Sequence, residues 1–239
     1  GSRLARFAVR ALLTGALVTA PLLAAAASPE ELSAQLHRRL DDARPLVVEG
    51  VELDRDLLKG VYVTRNYAPV WASPGMVVEL TGVGAAADSD VIEPASLEIG
   101  AVKNALGDLN IPPADRELLL TDRYLALAQI LTQGQIAPAD IEVDWALPRP
   151  EFSGADALSR LIDQGGPSKA LAGFAPSSQQ YRQLKEGLAQ YRAFAAQGVS
   201  ISLPADVKIE PGMIGDMVKT LRQRLMIEGD MSASSEDDP

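Results

Sequence analysis

Leu32, Leu36 and Leu40 recur every four residues among charged neighbours in "SPEELSAQLHRRLDDA", a spacing that predicts an amphipathic helix over 30–43. Ser28 is placed as its N-cap, Pro29 suits the first helical position, and Glu31 completes a capping box. Leu53, Leu57, Leu58 and Val61 predict a second helix over 53–67, which runs into "GVYVTRNYAPVW" and must end before Pro69. Ser73 to Asp90 is rich in Gly, Ala and Asp and reads as a weakly structured connection, with a short helix at 77–80. A helix over 95–109 follows, with Leu97, Val102, Leu106 and Leu109 turned inward. "IPPADRELLLTDRYLALAQILTQG" holds the strongest pattern and predicts a helix over 114–133. Asp115 is placed as its cap, Leu118, Leu119, Asp122, Leu125, Ala126 and Gln129 keep helical rhythm, and Gly134 ends it.

Two further helices are expected over 155–164 and 177–196. The second has Pro176 near its start and a stripe of Tyr181, Leu184, Leu188 and Tyr191. "VSISLPADVKIEPGM" is short, alternating and punctuated by proline, as extended structure at a domain boundary would be. A last helix over 214–227 stops at Gly229, before the polar, acidic "SASSEDDP". The fold class expected is mainly α, a multi-helix domain whose helices share one core, followed by a short extended linker and one more helix.

The N-terminus adds a targeting signal. Arg3, Arg6 and Arg10 form a basic region, 11–23 is apolar, and Ala24 to Ala27 offer A-x-A cleavage sites. This is the layout of a secretory signal peptide over 1–27 and implies the periplasm, with membrane contact only through that segment if it stays uncleaved. The chain opens on Gly-Ser rather than Met, which reads as a fragment of a longer protein.

Composition narrows the chemistry. With 47% hydrophobic and 23% charged residues, the 239-residue chain belongs to the globular class. Its formal charge of -10 argues against a nucleic-acid partner. It has no cysteine, so disulfides, zinc-thiolate sites, iron-sulfur clusters and thiol nucleophiles are excluded for this chain. The single histidine, His37, lies among charges on the first helix and has neither a G-x-S-x-G elbow nor a second histidine to work with. No phosphate-binding glycine motif is present. Asp88 to Asp90 and Glu236 to Asp238 read as solvated loop and tail. Glu117 and Asp122 are the first carboxylates to consider for acid–base work, but a solvent-exposed helix face accounts for them. The reading is therefore no catalytic residue, no metal ligand and no cofactor. The aromatic block from Gly60 to Trp71 is either a sugar-stacking surface or the knot that ties the helices together, and the second reading is preferred.

Four segments, taken in order, resemble the N-terminal scaffold region of the large periplasmic murein L,D-transpeptidases. "VYVTRNYAPVWA" is similar to that family's aromatic-x-x-Arg-x-x-x-Pro-x-Trp block, through Tyr62, Arg65, Pro69 and Trp71. "LLLTDRYLALAQILTQGQIAP" resembles its long helix ending in a Gly-x-x-x-Pro turn, here Gly134 and Pro138. "LAGFAPSSQQYRQLKEGLAQYR" resembles its proline block and the following Tyr-x-x-Leu-x-x-x-Leu-x-x-Tyr-Arg helix, through Pro176, Tyr181, Tyr191 and Arg192. "IEPGMIGDMVKTLRQRLMIEGDM" looks like the start of a peptidoglycan-binding module. Gln135 departs from the family's usual arginine, Ser178 from its histidine, and no tryptophan follows Gly198.

The resemblance implies a scaffold domain over 28–203, then a linker and an incomplete peptidoglycan-binding-like module with an acidic tail over 204–239. It implies peptidoglycan and other cell-wall synthesis proteins as partners. In that family a separate C-terminal domain carries a Cys nucleophile and a histidine, forms a thioester with a tetrapeptide stem, and makes 3-3 crosslinks. The chain, lacking cysteine, is then expected to be the non-catalytic scaffold and wall-binding portion of such an enzyme. A stand-alone periplasmic adaptor that binds the wall without enzyme activity, and an unrelated helical periplasmic protein, are the alternatives.

Overall fold

Ser28 does cap the first helix, α1 (Pro29–Asp41). Its hydroxyl accepts from the Glu31 amide at 3.2 Å, and its own amide donates to the Glu31 carboxylate at 2.9 Å. The computed structural model describes residues 27–232 apart from 72, 94, 109, 143, 145–146, 197–200 and 206–207. The N-terminal segment and most of the acidic tail fall outside the described residues. After α1 comes a small hairpin of β1 (Val47–Val48) and β2 (Val51–Glu52), paired antiparallel with Val48 opposite Val51. Glu49 and Gly50 both take positive φ, 51° and 79°, as a two-residue hairpin turn requires. A hairpin this short leaves no alternating pattern to detect, and none was expected.

The chain continues through α2 (Arg55–Val63), α3 (Pro74–Ala86), a 3₁₀ turn (Ala87–Asp90) and α4 (Ile99–Gly107). Then come α5 (Pro113–Gln133), α6 (Pro138–Ile141), α7 (Gly154–Asp163), α8 (Pro167–Ala172), α9 (Gln179–Ala196) and α10 (Asp216–Glu228). The protein is mainly helical, as expected. Among the described residues no helix is long and apolar enough to cross a membrane.

The body is organised around α5, against which α1, α2, α3, α4, α7, α8 and β1 all pack. Leu118, Leu119, Leu120, Tyr124, Leu125, Leu127 and Ala128 are buried around the whole circumference of α5. A helix enclosed on every side is a core element rather than an amphipathic surface one. Leu36 and Leu40 from α1, Leu58 and Tyr62 from α2, Val102 from α4 and Leu158 and Leu161 from α7 complete the same core.

Several boundaries differ from the sequence pattern. The second helix stops at Val63 rather than 67, because Asn66 and Tyr67 adopt positive φ of 51° and 58°. The fourth starts at Ile99 rather than 95, after Glu98 at φ 48°. Leu97 and Val102 are buried as expected, whereas the Leu106 side chain and Leu109 lie outside the description. The larger correction is α3, a 13-residue helix where a loose connection was expected. Its glycines and alanines weaken the local signal, but Val77, Leu80 and Gly84 fall on one side and are buried, so tertiary packing supplies what propensity does not. The stretch expected to be extended after Gly198 forms no strand among its described residues. The stripe on the long penultimate helix also fails as core: Leu184 and Tyr191 are 72% and 61% exposed.

Gly84 marks where α3 and α4 approach most closely, since a Cβ there would lie 2.3 Å from Ile99 Cδ1. In an open helix Gly→Ala gains about 1 kcal/mol. Here overpacking costs about 1–3 kcal/mol, so Gly84→Ala is expected to lower the chemical-denaturation midpoint. The same substitution at Gly82, which has nothing within 4 Å of its missing Cβ, is expected to raise it.

Candidate functional site

The aromatic block is bound to α5 through one buried carboxylate. α2 delivers Tyr62 inward, the turn at 64–67 reverses the chain, and Val70 and Trp71 come back alongside α5. Glu117 meets them there. Its Oε1 accepts from the Tyr62 hydroxyl at 2.9 Å and from the Val70 amide at 2.5 Å, and the Trp71 amide donates to Oε2 at 3.3 Å. One turn further along, Thr121 Oγ1 accepts from Trp71 Nε1 at 2.9 Å and lies 2.7 Å from the Tyr62 oxygen. Trp71, Thr121, Tyr62 and Glu117 thus form one hydrogen-bonded chain in which every member finds a partner. Tyr62 and Thr121 are fully buried and Glu117 is 4% exposed. The Trp71 ring also meets Tyr124 edge-on, with centroids 6.3 Å apart.

The opposite end of α2 is held by the same helix. Asp122 Oδ1 accepts from the Asp54 amide at 2.8 Å, while the Asp54 side chain caps α2 by accepting from Leu57 at 2.9 Å. Arg123 neutralises Asp122 and reaches Glu98 at 2.7 Å. Residues 117, 121 and 122 of α5 therefore clamp the segment from Asp54 to Trp71 at both ends. The expectation of a solvent-exposed charged face for Glu117 and Asp122 is overturned. Both are buried because they bind backbone amides that would otherwise have no partner. A carboxylate inside the apolar run from Leu118 to Ile130 or at its edge is the signal that marks them.

Burial pushes the Glu117 carboxyl above its ordinary value, opposed by the Val70, Tyr62 and Trp71 donors and the Arg65 charge. Burial and the Glu117 charge likewise push the Tyr62 hydroxyl well up. Arg65, partly buried, has its Nε enclosed without a hydrogen-bond partner among the described residues. Pro69 is partly buried in the returning strand of the turn.

The remaining motif residues lie elsewhere. Asp115 does not cap α5, which starts at Pro113 without a side-chain cap; it lies in the first turn and pairs with Arg39 at 2.6 Å. Gly134 ends α5 at φ 77° and donates its amide to Ile130 at 2.7 Å, and Pro138 opens α6. Arg149 binds the carbonyls of Gln133 and Gly134 at 3.0 and 2.8 Å, satisfying this helix end. Pro176 is exposed. On α9, Tyr181 donates to Asp90, Tyr191 meets Phe194 edge-on, and Arg192 pairs with Asp88 at 2.8 Å. Asp88 is exposed, in line with the solvated reading, whereas Asp90 is half-buried against Lys185, and both carboxylates meet α9. His37 is exposed and stacks on Tyr67 at 4.4 Å. No cluster of metal-ligating side chains occurs among the described residues.

The buried hydrogen-bonded chain from Trp71 to Glu117 ties α2 and the segment after it to α5. In sequence comparison the Scaffold domain model matches residues 56–188, over half the length of the chain, and the chain belongs to the Scaffold domain family. The match begins in α2 and takes in the entire Glu117 assembly. No curated protein and no solved structure matches the chain.

Glu117→Ala would leave the Val70 and Trp71 amides buried without acceptors. At about 1–3 kcal/mol per group the expected loss is about 2–6 kcal/mol in urea unfolding. Because the folded-state carboxyl titrates above its unfolded value, its contribution is complete below the ordinary carboxylate range and is lost as pH rises through the raised value. Glu117→Gln, which cannot ionise, is expected to lose less stability than the wild type between pH 4 and 7, read from thermal melts at both. Trp71→Ala removes the ring and the Thr121 bond together and is expected to cost about 3–5 kcal/mol.

Proposed function

We propose that this chain is the non-catalytic scaffold and wall-binding portion of a murein L,D-transpeptidase that forms 3-3 peptidoglycan crosslinks. It works in the periplasm with peptidoglycan and other cell-wall synthesis proteins as partners. The observation that supports this reading is where the family match falls. The Scaffold domain match over 56–188 contains the blocks at 61–72 and 118–138 and reaches into the one at 171–192, three of the four blocks that carry the resemblance, while the wall-binding block follows it. A chain without cysteine fits a supporting role in an enzyme whose nucleophile lies in another domain. The α5-centred core, clamped through Glu117 and Asp122, suits a body that holds other domains at fixed positions.

The coding sequence following Pro239 tests the transpeptidase reading. It is expected to continue in frame into a domain with Cys and His, and a stop codon there overturns it. For the wall-binding part, the purified protein is expected to co-sediment with isolated sacculi. Protein left wholly in the supernatant would rule that part out.

A further inference from the structure

α9 is attached to the body in a different way from the helices that pack on α5. It spans 18 residues and has no fully buried side chain. Its contacts run to the 3₁₀ turn Ala87–Asp90 on one side and to α10 on the other. The attachment to the turn is made by charges. Lys185 Nζ lies 2.7 Å from Asp90 Oδ1, the Tyr181 hydroxyl donates to the same carboxylate, and Arg192 donates to both the Asp88 carboxylate and the Asp88 carbonyl at 2.8 Å. Beneath these contacts the surfaces do not close. A cleft of about 330 Å³ lies between Lys185 and the body residues Val83, Ile92, Leu127, Leu131 and Leu171. A second, of about 540 Å³, has Ala85 and Ala86 on one side and Leu188 and Ala189 on the other.

We propose that the Asp88 and Asp90 contacts form an electrostatic catch that holds α9 as a strap across an apolar cleft in the body. Release of the catch swings α9 away and opens the cleft. α10 moves with α9, since α9 is the element it packs against. The physical reason lies in the balance of terms. An interface of interlocked apolar side chains is insensitive to salt, whereas partly exposed ion pairs weaken as salt screens them. α9 has no buried side chain, and besides the charges only the Tyr181 hydroxyl and the half-buried Leu188 oppose release. Two carboxylates on the turn face two cations on the strap, so removing either pair breaks both ion pairs. The body, whose core is centred on α5, stays folded in both positions.

The absence of native cysteine allows a direct test in the whole chain. Cysteines placed by Ser159→Cys on α7 and Gln183→Cys on α9, both exposed positions, carry a fluorophore pair for energy transfer. Between about 0.1 M and about 1 M salt the Debye length falls from about 10 Å to about 3 Å. Transfer efficiency is expected to fall over that range while the thermal melt of the body persists. Lys185→Gln with Arg192→Gln is expected to show the low efficiency already at low salt and no further response. Wild-type efficiency independent of salt, or double-variant efficiency equal to the wild type at low salt, would overturn the proposal. Should that double variant lose helicity, Asp88→Asn with Asp90→Asn decides by the same readout. Unfolding of both would make the charges part of the folding core and also refute the catch.

Discussion

The carboxylate of Glu117 is the point on which the aromatic block depends. It lies inside a helix enclosed on all sides, and three donors converge on it, the Tyr62 hydroxyl from α2 and the Val70 and Trp71 amides from the segment that returns after it. Two of those donors are backbone amides at 70 and 71, where the chain has left α2 and not yet entered α3. An unpaired amide in such a place is costly to bury. Glu117 thus allows an irregular turn to run through the interior, and that in turn brings the Trp71 and Tyr62 rings against α5.

Asp122 repeats the same solution at the other end of α2. Its acceptance of the Asp54 amide lets the N-cap residue enter the core region while Asp54 itself caps the helix. The two carboxylates lie within six residues of each other on α5, so a single straight helix fixes both ends of the segment it clamps. This explains how a block that is only partly helical can be as well fixed as the helices around it. It also separates the two halves of the protein. The body is held by buried, directional bonds and apolar packing, whereas α9 is joined to it through charges on a partly open surface.

The Scaffold domain family, the α5-centred core and the paired clamps agree on a supporting role. The aromatic block could have served as an exposed stacking platform, but Trp71 and Tyr62 are spent on internal contacts. Among the described residues Tyr191, on the strap, is an aromatic that stays 61% exposed.

The sequence alone determined the helical class, the capping box at Ser28, the long central helix with its glycine stop, and the absence of thiol chemistry. These are local matters: repeat spacing, cap residues and composition act within a few residues of one another. It could not show that α3 is a helix, because that helix forms from small residues whose stability comes from packing against α4 and α8. Nor could it show which face of α5 is buried, since a helix enclosed by neighbours on every side has no polar face to reveal its orientation. The tertiary structure alone decided that Glu117 and Asp122 point inward. A carboxylate is stable in a core only when donors distant in sequence arrive to meet it, and the arrival of Tyr62, Val70, Trp71 and the Asp54 amide is a property of the fold.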